Sequence, residues 1–192
     1  MGPMTTTALI VIDVQLGFED VSFWGEAANP AADANISRLL EAWTTEGRGP
    51  VVIVRHDSLN PASPLHSGQA GNALKPAVAA IVPELLVTKH VNSAFLGDPD
   101  LHHWLSSAGV CRLVLCGIQT NMCVETTARM GGNLGYDVVV PLDATSTFAL
   151  TAQLPDGPYS LPGTELMKAT ALNLQAGGFA QVTSTAAVLA EA

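Results

Sequence analysis

The chain has 192 residues, of which 48% are hydrophobic and 13% are charged, and its formal net charge is -9. This length is typical of a single domain with a substantial buried core. Nucleic-acid binding is disfavoured, because phosphate contacts need clustered Lys and Arg and the sequence has no basic run. Because so few residues are charged, part of the surface should be apolar, and a subunit interface could cover it. The composition therefore predicts a homo-oligomer, either a dimer or a tetramer.

The apolar segments are too short to span a bilayer, and no basic region followed by an apolar stretch opens the chain. The three cysteines show no paired spacing. These features predict a cytoplasmic protein with reduced thiols and no contact with a membrane. We expect residues 1–7 to be a disordered start or a cloning remnant, and residues 8–190 to form one domain.

Short apolar runs bounded by turn residues mark the predicted strands. They cover residues 8–14, 51–54, 85–87, 112–116, 138–140 and, more weakly, 179–183. Continuous apolar runs are typical of strands that are covered on both faces, as in a parallel sheet. Helical spacing of apolar residues predicts helices over 31–46, 123–134 and 165–175. This alternation of strands and helices predicts an α/β fold with a doubly wound sheet.

Two long segments break this alternation, residues 58–73 and 147–163. The first is rich in Pro, Ser, Asn and Gly, and the second contains three prolines. Such residues favour turns, and loops of this length in a compact domain often carry function. We therefore expect both segments to be loops that cover a functional site.

Polar side chains follow four of the predicted strands. Asp13 and Gln15 come at the end of the first strand, residues 55–57 (RHD) end the second, Lys89 ends the third, and Cys123 follows the fourth. In open α/β sheets, ligands bind beyond the carboxyl ends of the strands. The sequence therefore predicts that an acid, an amine and a thiol converge at one edge of the sheet.

Cys123 is predicted to lie where a helix begins, near free backbone N–H groups and the positive end of the helix dipole. Such a position favours the thiolate and supplies donors for an oxyanion. A nearby Lys89 would favour the thiolate further, and Asp13 could take the thiol proton. The pattern alone leaves three alternatives open, namely a buried apolar cysteine, a turn-forming aspartate and a solvated lysine.

Three blocks of the sequence resemble the signature blocks of the isochorismatase-like cysteine hydrolases. They are residues 9–15 (LIVIDVQ), 89–95 (KHVNSAF) and 117–128 (GIQTNMCVETTA). That family includes nicotinamidase, N-carbamoylsarcosine amidohydrolase, ureidoacrylate hydrolase and streptothricin hydrolase. The resemblance covers nearly the whole chain, and it implies one hydrolase domain over residues 8–190. It also implies a six-stranded parallel sheet in the order 3-2-1-4-5-6, flanked by helices.

The resemblance also implies the roles of the site residues. Asp13, Lys89 and Cys123 would form a catalytic triad, and the backbone N–H groups of Gln119 and Cys123 would form an oxyanion hole beside a cis peptide between Ile118 and Gln119. The implied substrate is a small molecule. Its non-peptide C–N bond, in an amide, a lactam or a carbamoyl group, would be cleaved through a thioester on Cys123 without a cofactor.

Two departures from the family pattern narrow this expectation. Nicotinamidases carry an Asp-x-His metal pair after the second strand, whereas residues 55–60 here read RHDSLN. We therefore expect no metal site, and we predict that His56, Asp57 and His66, although metal-capable, are pocket or loop hydrogen-bonders. Isochorismatases that cleave an enol ether lack the nucleophilic cysteine, so the presence of Cys123 favours covalent C–N hydrolysis.

The predicted substrate pocket comprises Gln15, Phe18, Trp24, His56 and Phe148, together with the segment 58–73. Its aromatic side chains fit a core or an interface equally well. Two functional alternatives stay open at this point. One is the opening of an antibiotic lactam of the streptothricin type, and the other is a catalytically silent binding member of the fold.

Overall fold

The computed structural model describes residues 6–191. The strands are β1 (Thr6–Ile12), β2 (Val51–His56), β3 (Leu85–Lys89), β4 (Val110–Ile118), β5 (Asp137–Pro141), β6 (Thr145–Ser146), β7 (Leu150–Leu154), β8 (Gly157–Leu161) and β9 (Gln181–Thr183). The helices are α1 (Val21–Trp24), α2 (Ala32–Glu46), α3 (Pro76–Ala79), α4 (Leu101–Ser107), α5 (Glu125–Asn133), α6 (Gly163–Ala176) and α7 (Thr185–Ala190).

Seven of these strands form one sheet. Six follow the order β3-β2-β1-β4-β5-β9, and the short β6 pairs with the end of β4. Each of these pairings is parallel. The predicted α/β fold with a doubly wound sheet is therefore confirmed, with one short strand more than the six expected.

Strand β1 lies at the centre of the sheet and is buried on both faces. Successive side chains of a strand point to opposite faces. Ala8, Ile10 and Ile12 accordingly pack with residues of α4, α5 and α6. Leu9 and Val11 pack with residues of α2, α3 and α7 on the other face. The unbroken apolar run of β1 is thus explained by its burial under helices on both faces of the sheet.

The two segments predicted as loops differ in outcome. Residues 58–73 contain only turns, bends and one short 3-10 turn in addition to isolated bridges, as expected. The prediction for 147–163 is wrong, because it contains the antiparallel hairpin β7–β8. Leu154 pairs with Gly157 across the residues Pro155 and Asp156. The Asp-Gly step is a hairpin signal, which the neighbouring prolines masked, although proline is tolerated at strand edges.

The predicted disordered start, residues 1–7, is wrong for its last two residues. Strand β1 begins at Thr6, and Thr7 pairs with Arg112 on β4. Residues 1–5 lie outside the described residues. Among the helices of residues 6–191, none combines the length and the apolar composition that a membrane crossing requires.

Candidate active site

The sheet order brings three predicted site residues to one edge. Asp13 directly follows β1, and its backbone adopts a left-handed conformation with φ of 52°. Lys89 is the last residue of β3 and lies opposite His56 in the register with β2. Cys123 lies in a π-helical turn, Thr120–Val124, between β4 and α5. The strand order reverses between β1 and β4, and ligands of open α/β sheets bind at such a point.

The Lys89 ammonium is the centre of the site. Its Nζ atom contacts Asp13 Oδ2 at 2.5 Å, His56 Nδ1 at 3.2 Å and Cys123 Sγ at 3.3 Å. An ammonium group has three N–H donors and no acceptor, so these three contacts use all of them. His56 Nδ1 must then accept, which assigns the ring proton to Nε2.

The pair formed by Asp13 and Lys89 is fully buried, with both side chains 0% exposed. Burial raises the pKa of Asp13 above its ordinary value, while the charge of Lys89 opposes this rise. Only Oδ2 of the carboxylate is hydrogen-bonded to the lysine. The other oxygen, Oδ1, is buried and accepts no hydrogen bond from the residues that the structure describes. Asp13 therefore keeps one free acceptor beside the thiol.

The start of a helix was expected to favour the thiolate of Cys123, and other effects in the structure oppose this. Burial, and next the negative charge of Asp13, raise the pKa of Cys123 to about 12, against the opposing effect of Lys89. Burial outweighs the helix dipole because Cys123 lies within the turn before α5 and is largely removed from water. Cys123 is a neutral thiol at rest, and a base must remove its proton when it reacts.

His56 is also neutral around pH 7. Burial first, and then the positive charge of Lys89, lower the pKa of His56 to about 4. His56 also lines the cavity that lies above the thiol. Its imidazole contacts the Lys89 ammonium as a neutral acceptor and adds no charge to the site.

The turn that carries Cys123 is held by a row of hydroxyl groups. Thr120 Oγ1 donates to Thr145 Oγ1 at 2.9 Å, and Thr147 Oγ1 donates to Asn121 Oδ1 at 2.5 Å. This support was not predicted from the sequence. The run of three hydroxyl residues after β5, 145–147, was a usable signal, because buried hydroxyls need partners.

The structure contains the predicted cis peptide between Ile118 and Gln119. This peptide bond comes directly after β4, whose last residue, Ile118, pairs with Ser146 of β6. Gln119 and Cys123, whose backbone N–H groups are the predicted oxyanion donors, both line one cavity.

A cavity of about 190 Å³ opens above the thiol. It is lined by Asp13, Phe18, Trp24, His56, Leu65, Asn92, Gln119, Met122 and Cys123. Of the predicted pocket residues, Phe18, Trp24 and His56 line this cavity. Leu65 brings the segment 58–73 to the cavity, whereas no residue of the hairpin β7–β8 lines it.

Two predicted pocket residues do not line the cavity. The Gln15 side chain is fully buried and holds the end of β2, donating to the His56 carbonyl at 3.0 Å and accepting from the His56 N–H at 2.9 Å. Phe148 lies behind the wall, with its ring 5.9 Å from Phe18 and 5.7 Å from Trp24. Both residues support the pocket and do not contact its interior.

Asn92 and Met122 line the cavity but were missed as pocket residues. Asn92 is exposed, and its Nδ2 atom lies 3.9 Å from Met122 Sδ. Met122 directly precedes Cys123, so its position next to the nucleophile candidate was a usable signal. Asn92 lies in the signature block 89–95 that begins with Lys89, and this was also a usable signal.

The metal-capable residues after β2 are engaged in loop contacts. Asp57 receives hydrogen bonds from Arg55 at 2.9 Å and from Asn72 at 2.9 Å. His66 Nδ1 accepts from the Gly68 N–H at 3.2 Å. These contacts agree with the predicted role as loop hydrogen-bonders.

Within residues 6–191, one group has the spacing of metal ligands. Asp13, His56 and Cys123 each offer a ligand atom, and these atoms lie within 4.8 Å of one another. The Lys89 ammonium already contacts all three of these residues. An ion at this place would have to share the space with a buried positive charge, so the residues present fit the lysine better than a metal.

Comparison with known proteins identifies the family. The profile of the Isochorismatase domain matches residues 7–187. The uncharacterised isochorismatase family protein YrdC of Bacillus subtilis is 40% identical over 146 residues, which is 76% of each chain. A streptothricin hydrolase of Streptomyces noursei is 34% identical over 158 residues, covering 81% of this chain and 54% of that enzyme.

Solved structures agree with this assignment. A crystal structure of an isochorismatase-family protein from Chromobacterium violaceum superposes with a TM-score of 0.86 at 33% identity, over 99% of this chain and 97% of the other. The chain therefore belongs to the isochorismatase family of hydrolases, and the resemblance stated from its three sequence blocks is confirmed.

Proposed function

We propose that this protein hydrolyses a non-peptide C–N bond, in an amide, a lactam or a carbamoyl group, through a thioester on Cys123. One observation carries the proposal: a single buried ammonium, Lys89 Nζ, contacts the Asp13 carboxylate at 2.5 Å and the Cys123 thiol at 3.3 Å. A nucleophile and a base thus share one counter-charge at the floor of a cavity. Relatives named streptothricin hydrolase and nicotinamidase support the same class of reaction.

In the first half of the proposed reaction, the S–H proton of Cys123 moves to Asp13 as the sulfur attacks the carbonyl carbon. Asp13 Oδ1, which lacks a partner among the described residues, is available to accept it. The backbone N–H groups of Gln119 and Cys123 would stabilise the oxyanion. The C–N bond then breaks, Asp13 returns the proton to the departing nitrogen, and a thioester is left on the sulfur.

In the second half, water attacks the thioester carbon while Asp13 takes a proton from that water. The C–S bond breaks, the acid product leaves as a carboxylic acid or, from a carbamoyl group, as a carbamic acid, and the sulfur regains its proton from Asp13. One water molecule is consumed for each C–N bond. Lys89 keeps its charge throughout, and it offsets the negative charge wherever that charge lies, on the carboxylate or on the sulfur.

The cavity favours a small substrate over an antibiotic of the streptothricin type. Pockets that enclose drug-sized ligands measure about 300–1,000 Å³. The present cavity, at about 190 Å³, is smaller. A catalytically silent binding role accounts less well for the site, because burying a charge costs about several kcal/mol per ion even when it is paired. A binding pocket has no need of a buried ammonium in contact with a thiol.

The test is a turnover screen over small amides, ureido acids and lactams with two matched cysteine variants. Cys123→Ala should lower the rate on any accepted substrate by roughly three orders of magnitude or more, because the covalent route is lost. Cys111→Ala should leave the rate unchanged, since Cys111 is exposed and does not line the cavity. Acid quenching of the parent should trap an acyl group on Cys123, detected by peptide mass spectrometry.

Retention of activity within about tenfold of the parent in Cys123→Ala would contradict covalent catalysis by this thiol. An acyl adduct on Cys111 alone would contradict the assignment of the nucleophile.

A further inference from the structure

Every positive side chain of this chain has a polar partner, Lys89 at the floor of the cavity and the others away from it. All eight Lys and Arg residues lie within the described residues 6–191, and none of them lines the cavity. Arg38 hydrogen-bonds Asn35 on the exposed side of α2. The other seven contact carboxylates in the pairs Arg48–Glu46, Arg55–Asp57, Lys75–Asp33, Lys89–Asp13, Arg112–Asp137, Arg129–Glu125 and Lys168–Glu165.

The floor of the cavity carries no surplus positive charge. The negative charge of Asp13 and the positive charge of Lys89 cancel at 2.5 Å, while Cys123 is a neutral thiol. Moving the thiol proton to Asp13 shifts the negative charge to the sulfur and leaves the sum unchanged. His56, the remaining titratable residue of the cavity lining, is an uncharged acceptor of the Lys89 hydrogen bond near pH 7.

The walls of the cavity are apolar or carry neutral amides. Phe18, Trp24, Leu65 and Met122 supply the apolar surface, and Asn92 is a neutral amide at the wall. An anionic group of a substrate would leave water without a counter-charge to receive it. Such desolvation of an unpaired carboxylate is strongly unfavourable.

We infer that this site selects an uncharged substrate and excludes one that carries a carboxylate beside the scissile bond. The inference rests on the proposed function, and it narrows the substrate class of the same site. It favours simple carboxamides and lactams over ureido acids and N-carbamoyl amino acids. The carboxylate of the latter two would enter a cavity whose nearest cation, Lys89, is already paired with Asp13.

Alkylation of Cys123 tests this charge selection without requiring turnover. Iodoacetamide and iodoacetate react with thiols in the same way and differ by an amide in place of a carboxylate. Their rates at Cys123 are measured at pH 8 by peptide mass spectrometry, because ordinary histidines are neutral there. The matched control is the same peptide in the urea-unfolded protein, where the cavity is gone. The folded protein should prefer iodoacetamide at least tenfold more strongly than the unfolded chain does.

A paired turnover measurement extends the test to substrates. Acetoacetamide and malonamate differ by a methyl group in place of a carboxylate oxygen, so their sizes match. The parent protein should hydrolyse the amide bond of acetoacetamide with a kcat/KM at least tenfold above that for malonamate. Equal alkylation preference in folded and unfolded protein, or faster hydrolysis of malonamate, would overturn the inference.

The two proposals fail in different ways. If the alkylation preference is present but Cys123→Ala retains the activity of the parent, covalent catalysis is refuted and the charge selection stands. If Cys123→Ala is inactive but carboxylate-bearing amides are hydrolysed faster, the charge selection is refuted and the covalent mechanism stands.

Discussion

Replacing Lys89 with methionine removes the cation of a buried ion pair and measures what that pair contributes. The side chains of Lys89 and Asp13 are both 0% exposed, and their charged atoms lie 2.5 Å apart. With an effective dielectric constant of about 20, unit charges at that separation attract each other by about 6.6 kcal/mol. Removing one partner of a buried pair costs about 3–5 kcal/mol, because the other charge is left unpaired. We expect Lys89→Met to lower the free energy of unfolding by about 3–5 kcal/mol near pH 7.

The loss of stability in Lys89→Met depends on pH, because the unpaired Asp13 carboxylate becomes neutral when it binds a proton. Burial already raises the pKa of Asp13, and the variant lacks the lysine charge that opposes this rise. The folded variant therefore holds a proton that the unfolded chain, with a carboxyl pKa of about 3.9, releases. A raised pKa in the folded state gives stability that is present below about pH 3.9 and is lost as the pH rises through the folded value. The destabilisation by Lys89→Met should thus be smaller at pH 5 than at pH 8.

Urea unfolding followed by circular dichroism at pH 5 and pH 8 measures both effects. The matched control is Lys168→Met on α6, because Lys168 pairs with Glu165 at the surface, where the side chains are 69% and 49% exposed. Exposed pairs contribute about 1 kcal/mol or less, so the control should change little at either pH. The reasoning is refuted if Lys89→Met costs no more than the control at pH 8, or if its cost is the same at both pH values.

Three further experiments address the surroundings of the thiol. Asp13→Asn should lower the pH midpoint of iodoacetamide labelling at Cys123, because the Asp13 charge helps to raise that thiol pKa to about 12; an unchanged midpoint would show that the two groups are not coupled. Gly117→Ala should lower the free energy of unfolding by more than about 2 kcal/mol, since φ is 127° and the new Cβ would lie 2.0 Å from a β1 carbonyl oxygen. Gly135→Ala, whose new Cβ would meet open space, should lower the free energy of unfolding less. An equal loss of stability in the two variants would contradict a close contact between position 117 and β1. Dialysis against a strong chelator should leave turnover unchanged, because Lys89 supplies the cation of the site; activity lost by dialysis and restored by zinc would contradict this.

The edge of the sheet that carries the site was predictable from the sequence. Continuous apolar runs identify strands that are covered on both faces, and their ends indicate which polar residues share an edge. Asp13 and Lys89 end two such runs, and Cys123 follows a third, so their meeting follows from strand order. The order itself came from the family resemblance, because apolar runs do not specify which strands are neighbours.

The properties that depend on distance and burial were not predictable. Whether Cys123 rests as a thiol or a thiolate is decided by how far it is removed from water and by its place beside Asp13. Gln15 lies two residues after Asp13 and was predicted to line the pocket. After the left-handed conformation at Asp13, however, the Gln15 side chain binds the end of β2. The hairpin β7–β8 was missed because its prolines suggested a loop. In each case, the deciding quantity is a three-dimensional contact that local pattern does not encode.

The buried pair of Asp13 and Lys89 has a consequence for how the site can be lost during evolution. Replacing a buried ion pair by apolar residues of similar volume is often neutral or stabilising. The fold would therefore tolerate positions 13 and 89 without charges. Either single replacement, however, leaves the other charge buried and unpaired, which is strongly destabilising. Two individually harmful changes separate the charged pair from its apolar alternative, so the pair can persist in a lineage even where selection for its chemistry has ended.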